Sequence, residues 1–248
     1  IEDNVIHNLG DVGISCNFEM TCDSVQIVHN EIYDTGHAGT GEGMYLGCND
    51  GSCALTNSLV ALNYVHDMGG DQGDGIEIKT SSHDNVIRDN VIVRSKYPGI
   101  TMYGFDGPGG PNIVERNLVW HGKADNGIQI VGQIIVRNNL VLDTAITGIA
   151  SKPSQNATPH DAVIVNNTVA GAGTGCLKTN NWSTEAGNVI ANNALYCEGT
   201  SAADITGGAA ADLVMVGNIG LGTSNAAAGF TMGTTTAGRR VRSSARIC

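Results

Sequence analysis

The sequence predicts an all-β fold, a single-domain parallel β-helix (β-solenoid) of about nine coils, and three observations point to it. One phrase recurs along the chain: two or three β-branched residues, an asparagine, an apolar pair, a polar turn, then glycine and another apolar residue. The anchoring asparagines, Asn4, Asn30, Asn63, Asn90, Asn117, Asn139, Asn167, Asn193 and Asn218, lie 26, 33, 27, 27, 22, 28, 26 and 25 residues apart. The short apolar runs alternate with polar positions and show no stripe at helical spacing. The chain's 34 glycines in 248 residues are roughly twice the usual share, and they punctuate those runs.

Taken in order, the phrase is clearest as Val86-Ile87-Arg88-Asp89-Asn90-Val91-Ile92, Ile113-Val114-Glu115-Arg116-Asn117-Leu118-Val119, Ile134-Ile135-Val136-Arg137-Asn138-Asn139-Leu140-Val141 and Val163-Ile164-Val165-Asn166-Asn167-Thr168-Val169. No single coil can bury its own apolar face, whereas stacked coils bury a continuous inner column of Ile, Val and Leu. Asparagine at the repeated corner tolerates tight-turn backbone angles, and its amide can stack into a side-chain ladder. Nine coils at ~4.8 Å each make a rod of roughly 40 Å. The repeat runs over 1–222. Residues 223–248 read as a C-terminal tail packing on the last coils, with a basic end unlike anything before it.

Charge and cysteines narrow the setting. A net charge of −11 and a pI near 4.9 argue against nucleic acid and leave polyanions in need of a cation or a local basic cluster. No apolar run approaches the ~18 residues of a membrane span. No basic-then-apolar leader opens the chain, and Ile1 falls in mid-pattern. Cys16 and Cys22, Cys48 and Cys53, and Cys176 and Cys197 read as local disulfides, hence a secreted or extracellular protein. Cys248 is left over.

Aligning the coils on Gly43, Gly75, Gly99, Gly127, Gly148 and Gly175 turns Met44, Ile76, Ile100, Ile128, Ile149 and Cys176 inward. Strand alternation then sets Tyr45, Glu77, Thr101, Gln129, Ala150 and Leu177 in one exposed column, and Gly47, Lys79, Tyr103, Val131, Lys152 and Thr179 in a second. Lys79 and Tyr103 become neighbours on adjacent coils, ~5 Å apart. A lysine and a tyrosine flanked by carboxylates suit removal of the proton beside a uronic acid carboxylate. Lys79 is cast as base or carboxylate neutraliser and Tyr103 as acid, with Glu77 and Asp106 completing the catalytic set. Glu42, Tyr45, His83, Arg88, Gln129 and Lys152 are the expected substrate-binding residues. Asp71, Asp74 and Glu77 are candidate ligands for Ca²⁺, which would bridge to a uronate; the plainer alternative is a Gly-rich turn shaped by Asp71 and Asp74.

This repeat resembles the right-handed parallel β-helix (pectate lyase-like) superfamily, which includes the alginate lyase and chondroitinase B group and the mannuronan C5-epimerases. The resemblance implies a right-handed coil and a carbohydrate-active enzyme. It also implies an amphipathic N-terminal cap, which is not visible here and so predicts a truncated chain or an end covered by a partner. Tyr103-Gly104-Phe105-Asp106 is similar to the opening of the epimerase motif Tyr-Gly-(Phe or Ile)-Asp-Pro-His, with Gly107-Pro108 replacing Pro-His. Lys79 lies near the lysine of the lyase group, while Tyr103 occupies the place of its arginine.

The leading expectation is therefore an extracellular uronate polysaccharide lyase acting by β-elimination. A β-helix glycoside hydrolase follows, with Glu42, Asp74 and Glu77 as candidate carboxylates, then a uronan C5-epimerase and a non-catalytic carbohydrate-binding rod. His7, Tyr33, His66 and Trp120 occupy equivalent places and read as structural. His37 is a minor site candidate, and Trp120, His121 and Trp182 read as packing or a sugar-stacking edge.

Overall fold

The structure is a computed structural model and describes residues 1–155, 157–182, 186–209, 211–225 and 229–233. Among them there is no helix, and successive coils pair in parallel on three faces. The first face stacks Ile14–Cys16, Met44–Leu46, Ile76–Ile78, Ile100–Tyr103, Ile128–Val131, Thr147–Ser151 and Gly175–Trp182. The second runs from Gln26–Val28 through Val86–Arg88 and Ile134–Arg137 to Val214–Val216. The third runs from Val5–His7 through Tyr64–His66 and Leu118–Trp120 to Thr168–Ala170. The long strand Ala194–Ala209 pairs with both Thr168–Ala170 and Gly175–Trp182 and so joins the first face to the third.

All three faces send β-branched and other apolar side chains into one core. Ile76, Ile100, Ile128 and Ile149 come from the first face, Ile87, Val114 and Val136 from the second, and Ile92, Val119 and Val141 from the third; all are essentially inaccessible. Each contributes about 1.5–3 kcal/mol by leaving water.

The asparagine corner is a continuous ladder. Each Asn Nδ2 donates to the Oδ1 of the next, from Asn4 to Asn218, over eight steps of 2.9–3.1 Å. The same Oδ1 accepts the preceding asparagine's backbone N–H. The residue before each rung is left-handed: Leu62, Asp89 and Arg116 have φ of 58°, 55° and 53°. That conformation costs a non-glycine residue roughly 1–2 kcal/mol, offset by the ladder it positions.

One expectation about register is corrected. Ile149 pairs with Leu177, not Cys176, so Leu177 and Thr179 are buried and Lys178 takes the outward place beside Ala150. The inward apolar residue sets the register, and here it stands two residues after the glycine instead of one. In the expected C-terminal tail, Phe230–Met232 pairs with Asn218–Gly220, so this segment packs on the last coil. The basic end of the tail and Cys248 lie outside the described residues. The three expected disulfides are formed.

Candidate active site

Outward side chains of the first face read Tyr45, Glu77, Thr101, Gln129, Ala150 and Lys178, one per coil. Ile76 and Ile78 point into the core, so strand alternation places Glu77 and then Lys79 on the outer side. Outward is not exposed, however, and the expectation of two solvent-exposed columns is corrected: Glu77 and Lys79 keep only 5% and 4% of their surface accessible. Loops rise on both sides. Asn49, Gln72, Tyr97, Pro98, Asp125, Lys152 and Gln155 wall a polar cleft of about 320 Å³ whose interior is Asp74, Glu77, Lys79, Thr101, Tyr103 and Gln129. The loop after Ser151 folds back along the face: Gln155 Nε2 donates to Asn49 Oδ1, and the Gln155 carbonyl accepts from Thr80 Oγ1 at 3.3 Å. Asn49 is itself held inside the loop closed by Cys48–Cys53.

Lys79 is the centre of the charge arrangement. Its Nζ donates to Glu77 Oε1 at 2.5 Å and lies 4.7 Å from the Tyr45 ring centroid and 5.1 Å from that of Tyr103. Two ring faces and a carboxylate thus hold the ammonium in a nearly dry site. The Lys79–Tyr103 proximity expected from the coil alignment is present. Burial raises the Glu77 pKa, and Lys79 counters that rise by charge and hydrogen bond.

Asp74 enters the cleft from the turn before Gly75. Burial first, and the Glu77 charge second, push its carboxyl well above the usual range, against a hydrogen bond from Thr101 Oγ1. Glu42, one coil earlier and fully buried, is also raised by burial, despite a hydrogen bond from Thr40. Burial followed by the Glu77 and Glu42 charges lifts the Tyr45 phenol to about 12. Burial, then Glu77 and Asp74, raises Tyr103 as well. Glu42 Oε1 and Glu77 Oε2 are buried with no hydrogen-bond partner. Such oxygens are costly unless something that donates to them arrives.

The structure does not gather the remaining expected residues here. Asp106 lies on the loop after Tyr103 and accepts hydrogen bonds from the Thr158 N–H and His160 Nε2, at 3.1 and 3.0 Å. Arg88 is on the second face beside Asp89. His83 pairs with Asp84 and stands against Phe105, and His37 pairs with Asp34. His7, Tyr33 and His66 form a stack on the third face, as their equivalent positions predict. Trp182 is a packing residue, fully buried with its Nε1 donating to Ser151.

The proposed calcium ligands do not converge. The Asp71 side chain is 99% exposed, with Lys96 4.0 Å away, whereas Asp74 Oδ1 accepts from Thr101 and Glu77 is committed to Lys79. Among the described residues no group of three or more His, Cys, Asp or Glu is arranged to hold a metal ion. Asp71, Asp74 and Glu77 therefore do not fit Ca²⁺ as a set, and no step below is routed through it. Sequence reasoning missed Asp125, Gln155 and His160, all on loops outside the strand period. Thr101 was in the outward column, but its partner Asp74 was not foreseen.

Three stacked parallel faces with a polar cleft on one of them define a parallel β-helix protein with a solenoid-face site. The chain belongs to the right-handed β-helix family: the model of the right-handed beta helix region matches residues 1–133 and again 63–218. No curated protein and no solved structure matches the chain.

Proposed function

We propose that this chain is an extracellular polysaccharide-cleaving enzyme whose cleft breaks a glycosidic bond by carboxylate acid–base catalysis. One observation carries the reading: two neighbouring buried carboxylates stand in environments that push their proton affinities apart. Burial and the Glu77 charge raise Asp74 well above the ordinary carboxylate range; burial raises Glu77 too, but Lys79 counters that rise by charge and hydrogen bond, so Asp74 is the better proton donor of the two. That division is what hydrolysis of a glycoside requires. Asp74 gives its proton to the glycosidic oxygen as the C–O bond breaks. Glu77, through the free Oε2, serves as base toward water or as nucleophile toward the anomeric carbon. Thr101 fixes the Asp74 carboxyl, and Tyr45, Tyr103 and Gln129 supply hydroxyl and amide contacts to sugar. Three disulfides are consistent with an extracellular setting.

Elimination or epimerisation of a uronate is the second reading, favoured by the Tyr103 phenol beside Lys79 and by the His160 that Asp106 holds near the same loop. It ranks lower because the Lys79 ammonium is already committed to Glu77, leaving it less available to a substrate carboxylate or as a base.

The test follows new reducing ends, absorbance of unsaturated uronate and solvent deuterium uptake at C5 on a panel of alginate, pectate, glucuronan, dermatan and neutral glycans. Reducing ends without absorbance are expected, with Asp74→Asn and Glu77→Gln each lowering turnover about 10²–10⁴-fold. Absorbance rising with reducing ends, or deuterium uptake without cleavage, would replace hydrolysis with the second reading. Full activity in both variants would remove the site.

A further inference from the structure

The cleft does not end at Gln129. A second depression of about 410 Å³ continues toward the C-terminal coils and shares Asp125 and Lys152 with the first. In the outward column, Ala150 stands between Gln129 on the coil before and Lys178 on the coil after. A methyl group between two long side chains leaves a notch one coil deep, three coils or ~14 Å along the axis from Glu77. The notch is therefore outside the bond-breaking group.

Its chemistry differs from that of the cleft. Lys152 is exposed and has no ion pair among the described residues, and Lys178 has a single loose contact, 3.8 Å to Asp204. Two cations thus flank the methyl floor with charge to spare, whereas Lys79 in the cleft is spent on Glu77. Ile146, 38% exposed, offers an apolar wall, and Asn180 Oδ1 lines the notch buried and without a partner. The depression at the opposite end of the face, around Tyr45, is lined by Glu19 and Asp50 and by no cation. The face is polarised along its length, in a protein whose net charge of −11 otherwise repels anions.

We propose that the Ala150 notch is a subsite for an acidic sugar unit, whose carboxylate or sulfate is bound by Lys152 and Lys178 while its ring rests on Ala150 and Ile146. Resting on the reading of the cleft as polysaccharide-cleaving, it assigns the substrate class, an acidic glycan. It also assigns the direction of that glycan, with the acidic unit on the C-terminal side of the scissile bond and the N-terminal, Tyr45 side left to a neutral one.

The test is calorimetric titration with galacturonate, mannuronate and sulfated galactan hexasaccharides, each against its neutral counterpart, carboxyl-reduced or desulfated. Wild-type protein is expected to bind at least one acidic hexasaccharide tenfold or more tighter than its neutral counterpart. The Lys152→Gln/Lys178→Gln double variant should lose that preference, binding the acidic hexasaccharide no more tightly than its neutral counterpart. The hexasaccharide preferred identifies carboxylate or sulfate as the anion. A preference that survives in the double variant, or none in the wild type, overturns the subsite. Running the titrations on Asp74→Asn separates the two readings. Lysine-dependent preference in a protein with no turnover in any form keeps the subsite and discards the catalytic reading, whereas turnover without preference does the reverse.

Discussion

Asp74 shows what a functional position costs at the level of one residue. Its carboxyl is taken out of water and set beside the Glu77 carboxylate, and a single hydroxyl from Thr101 is the direct compensation. A group whose folded pKa lies above its unfolded value contributes fully below the unfolded pKa, and that contribution drains away as pH rises through the folded one. Wild-type protein is therefore penalised progressively above the ordinary carboxylate range. Asparagine keeps an oxygen for Thr101 and carries no charge, so Asp74→Asn should unfold at a higher temperature than wild type at pH 8. The gap should close by pH 4, where both side chains are neutral. Thermal scans across that range check it, and a variant less stable than wild type at pH 8 would mean that Asp74 is a structural residue. Stability gained as turnover is lost is the expected signature of a site kept for function.

The elements around the cleft behave differently from the coils beneath them. The loop after Tyr103 and the loop carrying Thr158 and His160 are clasped through Asp106, which accepts from both, while Asp161 takes the other ring nitrogen of His160 at 3.1 Å. Burial disfavours the charged imidazole, but the hydrogen bonds and charges of Asp161 and Asp106 outweigh it, and the net shift is upward. The clasp is thus complete below the ordinary histidine value of ~6.5 and loosens as pH rises through the raised one. Amide exchange in 157–161, corrected for the intrinsic pH dependence, should accelerate between pH 6 and 9 in wild type and be fast throughout in His160→Gln. Identical pH profiles in the two proteins would rule the clasp out. The same contrast explains what was legible. Glu77, Lys79 and Tyr103 were found because they sit on strands, where a period of two fixes the outward side. The contacts of Asp106, and Gln155 and His160 themselves, were missed, because their partners lie 52–106 residues away on loops that follow no period. The calcium set failed for a related reason, since closeness in sequence within a turn does not fix which way each carboxylate points.

At the scale of the molecule the asparagine ladder is a side-chain hydrogen-bond chain running through nine successive coils, and it was legible because the same residue type recurs at each of them. Its members are not equivalent. Asn117 Oδ1 accepts from both the backbone N–H and Nδ2 of Asn90, and its own Nδ2 donates to Asn139 Oδ1 and to the Ile87 carbonyl, all inside the protein. Asn4 begins the ladder, partly exposed, and donates to Asn30 and to the Glu2 carbonyl without receiving from an earlier rung. Each buried group left unpaired costs about 1–3 kcal/mol. Asn117→Ala strands several at once and should destabilise by roughly 3 kcal/mol or more, while Asn4→Ala, which leaves Asn30 Oδ1 its bond from the backbone N–H of residue 4 and the Glu2 carbonyl open to water, should stay within about 1 kcal/mol. Because each coil of a solenoid is stabilised chiefly by its neighbours, the break in mid-stack should also lower cooperativity, broadening the denaturant transition or splitting it into two. Equilibrium unfolding of both variants in urea decides the matter. Equal, small losses would mean that the apolar column alone couples the coils and that the ladder only shapes the corner. A large loss confined to Asn117→Ala would make the ladder the element that holds the cleft's coils in register, and with them the spacing of Glu77, Ala150 and Lys178 along the face.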